Sequence, residues 1–227
     1  MPDHWIYIVV VGCLLQAAFI CFEYADKLVH ALILKGLASL GFVLLGVIFL
    51  SVTQDMTFGW LVAVGLAFGA IGDILLSARS LLKSGGQSMF MAGIGAFFTG
   101  HLLYIAALLS RGISALFIGV PVCAAASILL IPFLLKRIEI SGKLKTFGVT
   151  YMSLIFLMAG CAAGLLVFAP FSTGHLLFAA GAALFTLSDV ILVFHLFGRK
   201  KHGSFRALNL SSYYAGQILI ALSLLLV

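Results

Sequence analysis

Residues 58–80 read FGWLVAVGLAFGAIGDILLSARS, a run in which Asp73 and Arg79 are the only charged residues. A helix needs about 20 predominantly apolar residues to cross the hydrocarbon core of a bilayer, so this run predicts a transmembrane helix. Runs of the same kind recur along the whole chain. They predict eight spanning helices, at 5–22, 28–50, 58–80, 88–109, 113–135, 146–169, 173–198 and 208–227.

The composition of the 227-residue chain agrees with this prediction. Hydrophobic residues make up 63% of the chain and charged residues 9%, whereas soluble domains carry about 25% charged residues. A soluble globular domain, a disordered chain and a disulfide-stapled secreted module are therefore excluded. The sequence predicts an all-α polytopic membrane helix bundle, with residues 1–227 as a single transmembrane domain. The expected location is the inner membrane of a bacterium.

The positions of the basic residues predict the orientation in the membrane. Lys35 lies inside the second predicted helix, and Arg111 is the single basic residue in the loops on one side. The loops on the other side carry Lys27, Arg79, Lys83, Lys136, Arg137, Lys143, Lys145, Arg199, Lys200, Lys201 and Arg206. Because basic loops stay in the cytoplasm, we expect both termini to lie outside it. This bias also explains the net charge of +6, so no nucleic-acid partner is expected.

The chain also contains a candidate internal repeat. When each residue is aligned with the one 116 positions later (188 − 72), Gly-Asp-Ile-Leu-Leu at 72–76 falls on Ser-Asp-Val-Ile-Leu at 188–192. The same shift superposes Gly65 on Gly181, Lys35 on Tyr151, and Gly100-His101 on Gly216-Gln217. Two four-helix halves, 1–110 and 111–227, would then be related by an axis along the membrane normal. This repeat predicts that helices 3 and 7 are neighbours.

Three charged residues lie deep in predicted helices: Asp73, Asp189 and Lys35. An ionised aspartate at a helix centre costs roughly 2.5–3.5 kcal/mol on insertion scales, so such residues face a cavity or a partner. The two carboxylates lie at similar depths and could share a site. The simpler alternative is that each caps a helix or pairs with Lys35. For Lys35 itself, the alternatives are a site for an anion such as a lipid phosphate, or a lysine that snorkels to the interface.

Other polar residues are candidates for the same cavity. His101 and Tyr104 are three apart and share a helix face, as do Tyr214 and Gln217. The cysteines lie in apolar runs without metal-ligand spacing, and only one histidine lies in the middle of a helix. A zinc site needs three or four His, Cys or carboxylate ligands, so no metal is expected.

Taken in order, these residues resemble a known family. The elements are Lys35 followed by Gly-Leu, Gly72-Asp73, Gly100-His101-x-x-Tyr104, Ser188-Asp189 and Tyr213-Tyr214-x-x-Gln217. The ordered set is similar to the YhhN/lysoplasmalogenase family of integral membrane proteins. The resemblance implies hydrolysis of the vinyl ether bond of lysoplasmalogens to a fatty aldehyde and a glycerophospho-alcohol. It implies a lysophospholipid substrate drawn from the membrane, and no cofactor.

The chemistry of that reaction fits the candidate residues. Protonation of the β-carbon of a vinyl ether gives an oxocarbenium ion, which water attacks. The reaction calls for an acid, a nearby negative charge and a base, and two carboxylates can supply all three, as in glycosidases. We therefore expect Asp73 and Asp189 to be catalytic. The residues expected to contact substrate or water are Lys35, His101, Tyr104, Tyr151, Ser188, Tyr213, Tyr214 and Gln217.

Two other functions stay open at this point. Repeated halves with charged residues near the midplane are typical of transporters, and buried aspartates serve proton-coupled transport of lipids or small molecules. A structural or chaperone-like membrane protein is the third possibility. Turnover in detergent separates an enzyme from a transporter, which needs two compartments. A structural protein would tolerate Asn at both aspartates.

Overall fold

A computed structural model describes residues 4–82, 84–199 and 204–226, and these form an all-α bundle. Its helices are α1 (Trp5–Tyr24), α2 (Leu28–Leu50), α3 (Met56–Ala78), α4 (Gly86–Arg111), α5 (Leu116–Leu135), α6 (Gly142–Phe168), α7 (Thr173–Phe197) and α8 (Ser204–Ser223). Each lies over one of the predicted runs, so the predicted all-α class is confirmed. The largest differences are four residues each. They are at the starts of α6 and α8, where a polar and basic first turn precedes the apolar run, and at the end of α8, which lies at Ser223 instead of 227.

Seven of these helices, α1 to α7, are long and apolar enough to cross a membrane, so the chain is an integral membrane protein. The eighth, α8, does not meet that criterion, because its buried face is polar. It nevertheless runs antiparallel to α7 along its length. Asn209 donates to the Ser188 carbonyl near one end of the pair, and Ser172 donates to the Leu226 carbonyl at the other. The eighth crossing stays a prediction.

Glycine contacts bring two pairs of helices unusually close. On α7 and α8, a Cβ added to Gly216 would lie 2.8 Å from the carbonyl oxygen of Gly181. On α3 and α4, a Cβ added to Gly100 would lie 3.0 Å from the carbonyl oxygen of Gly65. Small residues let membrane helices pack with their backbones in close approach. These are the glycines that the 116-residue shift superposes, so the two pairs pack as a repeat would require.

The contacts between helices mostly follow the pattern that a repeat of four helices would give. The closest pairs are α1–α2, α3–α4, α5–α6 and α7–α8; in addition, α2 contacts α8 and α6 contacts α4. The predicted contact between α3 and α7 is limited, in the part of the chain that the structure describes, to the Phe58 and Phe178 rings, whose centroids lie 5.9 Å apart. Aromatic side chains from α4, α7 and α8 occupy the centre instead. The Phe97, Phe185 and Tyr213 ring centroids lie 5.3–6.2 Å apart. The repeat itself therefore stays a prediction.

The orientation also stays a prediction, and labelling tests it. In a cysteine-free background, a cysteine replacing exposed Lys143 should react with a membrane-impermeant maleimide only after the cytoplasmic face is opened. A cysteine replacing exposed Gln54 should react in intact cells. The reverse pattern would contradict the basic-residue rule. Of the residues that carry the prediction, Lys83, Lys200 and Lys201 lie outside the described residues.

An ion pair at the end of the bundle away from the basic loops predicts a pH-dependent contribution to stability. Partial burial by itself raises the pKa of the Asp55 carboxyl, but the Phe58 amide and the Arg111 guanidinium, 2.7 Å away, lower it below its ordinary value. The pair therefore stabilises the fold at neutral pH, and its contribution is lost as the pH falls through that lowered pKa. Asp55→Asn should cost about 0.2–1 kcal/mol at pH 7 and less at pH 3, below the ordinary pKa of the carboxyl. Thermal unfolding in detergent at the two pH values measures this difference.

Candidate functional site

A cavity of about 470 Å³ reaches from the centre of the bundle to the end that carries the basic loops. Buried Asp73 and Asp189 line its inner part, and exposed Tyr24, Ser80 and Lys145 line its mouth. The structure thus brings the two aspartates, 116 positions apart in sequence, to one cavity. Six predicted site residues line it: Lys35, Asp73, Tyr151, Ser188, Asp189 and Tyr213.

The lining of this cavity mixes polar and apolar side chains. Polar and charged side chains come from α2, α3 and α8, and also from α6 and α7, which supply Tyr151, Ser188 and Asp189. Aliphatic side chains of α5, α6 and α7 form an apolar wall: Ile131, Leu134, Val149, Met152, Leu192 and Val193. The cavity therefore presents charged groups beside an apolar wall.

Asp73 is held by one cation and two hydroxyl groups. The Lys35 ammonium lies 3.0 Å from Oδ1, while Ser39 and Tyr213 donate hydrogen bonds of 2.6 and 2.8 Å to Oδ2. Lys35 and Ser39 are four apart on α2 and therefore share a face. The Lys35 residue is only 4% exposed, so it does not snorkel. Of the alternatives that the sequence left open, pairing with an aspartate is the one observed.

A chain of hydrogen bonds supports Tyr213 from behind the cavity wall. The Tyr104 hydroxyl donates to Oε1 of Gln217 at 2.9 Å, and Nε2 of Gln217 donates to the Tyr213 hydroxyl at 3.3 Å. Because the Tyr104 hydroxyl donates to the amide oxygen, the amide nitrogen is turned towards Tyr213. The Tyr213 hydroxyl accepts from that nitrogen and donates its own proton to Asp73, whose carboxylate can only accept.

Tyr214 braces the other partners of Asp73. Its hydroxyl lies 3.1 Å from that of Ser39 and 3.3 Å from the Lys35 carbonyl oxygen. Three of the predicted site residues do not line the cavity: Tyr104, Tyr214 and Gln217. They lie behind the residues that line it, where they orient the side chains bound to Asp73.

Asp189 has a simpler environment. Its Oδ2 accepts a 2.6 Å hydrogen bond from Tyr151, and no cation lies within ion-pair distance among the described residues. Tyr151 packs edge-on against His101, with centroids 5.6 Å apart. The Nδ1 of that histidine lies 2.6 Å from the Phe97 carbonyl oxygen, and its Nε2 is buried without a partner. His101 also lies behind the cavity wall rather than in it.

Comparison with known families agrees with this arrangement. The model of the YhhN family matches residues 31–224. The chain belongs to the YhhN family. The match covers every candidate site residue and begins inside α2, so α1 lies outside it. No solved structure matches the chain.

In this YhhN protein, two polar residues of the site were missed by sequence analysis. Ser39 donates to Asp73, and Asn209 donates from Nδ2 to the carbonyl and hydroxyl oxygens of Ser188, at 2.8 and 2.9 Å. Asn209 also lines the cavity. Helical spacing could have found both, because Ser39 lies four residues after Lys35 and Asn209 lies four before Tyr213.

Charged residues at the mouth of the YhhN cavity were also missed, because the basic ones among them were used only to predict the orientation of the chain in the membrane. Glu23 of α1 accepts two hydrogen bonds from Arg206 of α8, at 2.6 and 2.8 Å, and both residues line the cavity. Arg79 and Lys145 line it too. As for metals, no cluster of three or more His, Cys, Asp or Glu side chains forms within the described ranges.

Proposed function

We propose that this protein hydrolyses the vinyl ether bond of a lysoplasmalogen, the activity that its family resemblance implies. The observation that carries the proposal is the unequal pairing of two aspartates in one cavity. Asp73 pairs with Lys35, whereas Asp189 pairs with Tyr151. These two partners are superposed by the 116-residue shift, so equivalent positions supply a cation to one carboxyl and a neutral hydroxyl to the other.

The unequal partners assign different roles to the carboxyls. A buried carboxylate without a cation is costly, so the neutral acid is the cheaper form of Asp189. Asp73 keeps its negative charge beside Lys35. One protonated and one ionised carboxyl in the same site is the arrangement that acid–base hydrolysis requires. Asp189 is therefore the general acid in this proposal, and Asp73 is the electrostatic stabiliser and base.

The reaction then proceeds in balanced steps. Asp189 gives its proton to the β-carbon of the vinyl ether, and the adjacent carbon–oxygen unit becomes an oxocarbenium ion. Asp73 stabilises that cation and takes a proton from the water that attacks the α-carbon. When the resulting hemiacetal collapses, Asp73 gives its proton to the departing glycerol oxygen and Asp189 takes the proton of the hemiacetal hydroxyl. The products are an alcohol and a fatty aldehyde, and both carboxyls return to their starting states. The apolar wall formed by α5, α6 and α7 holds the alkyl chain.

Turnover by the purified protein is the decisive experiment. The protein in detergent should release aldehyde from a synthetic lysoplasmalogen. The matched lipid with a saturated 1-O-alkyl chain, which lacks the vinyl bond, should release none. No aldehyde from well-folded protein across the neutral pH range would contradict the proposal.

Proton-coupled transport is the second candidate, favoured by the buried Lys35–Asp73 pair and by the paired packing of the two halves. A transporter should move lipid or solute across proteoliposomes in response to a pH gradient and should not convert it. Conversion in detergent, where no gradient exists, separates the two functions.

The hydrogen-bond chain behind Asp73 gives a milder prediction. Tyr104→Phe removes the donor that fixes the Gln217 amide, so the Tyr213 hydroxyl loses its preferred direction. A typical hydrogen bond contributes about 0.5–1.5 kcal/mol, so kcat should fall roughly two- to twelvefold. KM should not change, because Tyr104 does not line the cavity. Tyr7→Phe on the exposed face of α1 is the matched control. A raised KM with normal kcat would instead mean that Tyr104 contacts substrate.

A further inference from the structure

Lys35, for which a lipid phosphate was one of the expected partners, is already paired with the protein's own carboxylate. The Lys35 ammonium lies 3.0 Å from Asp73, and both side chains are buried. Its charge is therefore compensated before any ligand enters. Binding of a phosphate calls for a net positive charge and for donors that stay free. Both occur at the mouth of the cavity, where the cations outnumber the carboxylates.

Three cations, Arg79, Lys145 and Arg206, line the mouth, against one carboxylate, Glu23, among the described lining residues. The formal excess of two positive charges (3 − 1) lies where the cavity meets the membrane surface. Arg79 and Arg206 line the same mouth, where their like charges repel each other. An anion bound between them would relieve that repulsion.

The two guanidinium groups are already oriented by neighbours that leave donors available. Glu23 engages Nε and Nη2 of Arg206, so Nη1 is not used by that pair. Arg79 stacks over the Phe90 ring, 4.5 Å from its centroid, and has no carboxylate within ion-pair distance in the described part of the chain. Arginine forks suit the oxygens of a phosphate, and orienting them in advance lowers the cost of binding.

The depth of the aspartates below these arginines matches a single-chain phospholipid. Six residues of α3 separate Asp73 from Arg79, a rise of about 9 Å. Seven residues of α8 separate Arg206 from Tyr213, the donor to Asp73, a rise of about 10 Å. In a 1-O-alkenyl lysophospholipid, about five bonds join the phosphorus to the ether oxygen, which is roughly 6–7 Å when extended. The arginine side chains cover the difference.

We propose that Arg79 and Arg206 form a phosphate-binding site at the cavity mouth. This site sets the depth of a lysophospholipid so that its ether bond lies between the two aspartates. Glu23 holds Arg206 in place, and Lys35 takes no part in binding the headgroup. The proposal rests on the proposed function for its choice of ligand, but binding can test it without turnover.

The test uses a saturated 1-O-alkyl lysophospholipid, which binds without being hydrolysed, and the matching 1-O-alkylglycerol, which lacks phosphate. Arg79→Gln should weaken binding of the lysophospholipid roughly ten- to a hundredfold and leave that of the alkylglycerol unchanged. Because Arg206→Gln alone would strand Glu23, Glu23→Gln/Arg206→Gln is the variant to use, with the same expected loss. Arg199→Gln, which removes an exposed arginine outside the cavity, should bind like the wild type.

Several results would overturn the phosphate site. They are equal losses for the two lipids, an unchanged affinity in Arg79→Gln, and displacement of the lysophospholipid by inorganic phosphate at equal concentration. The last result would mean that free phosphate is the ligand.

Failure of this proposal can be distinguished from failure of the hydrolase proposal. If the wild type binds the lipids with the expected pattern but releases no aldehyde, only the hydrolase proposal is wrong. If aldehyde is released and Arg79→Gln has an unchanged KM, only the phosphate-site proposal is wrong.

Discussion

Asp73→Asn and Asp189→Asn should each reduce aldehyde release by roughly 10²–10⁴-fold while the protein stays folded. Asn is nearly isosteric with Asp, but it neither carries charge nor supplies an acidic proton. At position 189 it can still accept the Tyr151 hydrogen bond, so packing is kept while the acid is lost. At position 73 it loses the stabilising charge beside the oxocarbenium ion, an electrostatic contribution of similar size. Initial rates at saturating lysoplasmalogen measure both effects.

The double variant gives a sharper test of the shared site. Residues that act as a unit are far from additive, so Asp73→Asn/Asp189→Asn should be little slower than either single variant. The wild-type pH–rate profile should be bell-shaped, with both limbs belonging to the pair. Proton transfer to carbon should produce a clear solvent deuterium isotope effect.

Controls separate this mechanism from its competitors. Asp26→Asn is the matched substitution outside the cavity. Asp26 has a φ of 57°, which Asn tolerates, so activity should be normal. EDTA should leave turnover unchanged. Near-normal turnover in either catalytic-site variant, or reversible loss with EDTA, would make the two-aspartate mechanism wrong and favour a metal-dependent hydrolase.

Lys35→Met should, together with Asp73→Asn, have the largest effect on stability, because each removes one partner of the same buried ion pair. Removing one partner of a buried ion pair leaves an uncompensated charge and typically costs about 3–5 kcal/mol. Met keeps much of the apolar stem, so the loss reports charge rather than packing. Activity should fall as well, because Asp73 then has to take up a proton to stay buried and no longer opposes the cation. Thermal unfolding in detergent and aldehyde release measure the two losses.

A second substitution shows whether the charge is the cause. Lys35→Met/Asp73→Asn removes both charges, so it should recover most of the lost stability and none of the activity. Lys145→Met, at the exposed mouth of the cavity, is the control and should unfold like the wild type. If Lys35→Met were as stable as the wild type, the pair would contribute little to the fold.

The sequence predicted the helices well because an apolar run of spanning length has few alternative structures. It also identified the buried aspartates, because charge inside such a run is costly enough to be informative. The partner of Lys35 could not be predicted. A lysine that binds an external anion and a lysine that pairs with an aspartate would lie at the same position of the helix, so the sequence does not distinguish them. Ser39 and Asn209 were missed because small polar residues in a membrane helix carry little cost and hence little signal. The role proposed for Arg79 and Arg206 depends on where the end of α3 and the start of α8 meet, which composition does not encode.

The polarity of α8 has a consequence for biogenesis. A helix that carries Asn209, Tyr213 and Gln217 on one face is a poor candidate for independent release from the translocon into lipid, because each polar group would enter hydrocarbon uncovered. In the folded protein it is covered by α7, whose closely packed glycine face and Ser188 backbone lie against it, so we expect the two helices to insert together. Since Tyr213 of α8 completes the shell of hydrogen bonds around Asp73, we expect the proposed catalytic centre to form only once α8 has docked. A chain whose α8 has not docked should therefore be inactive.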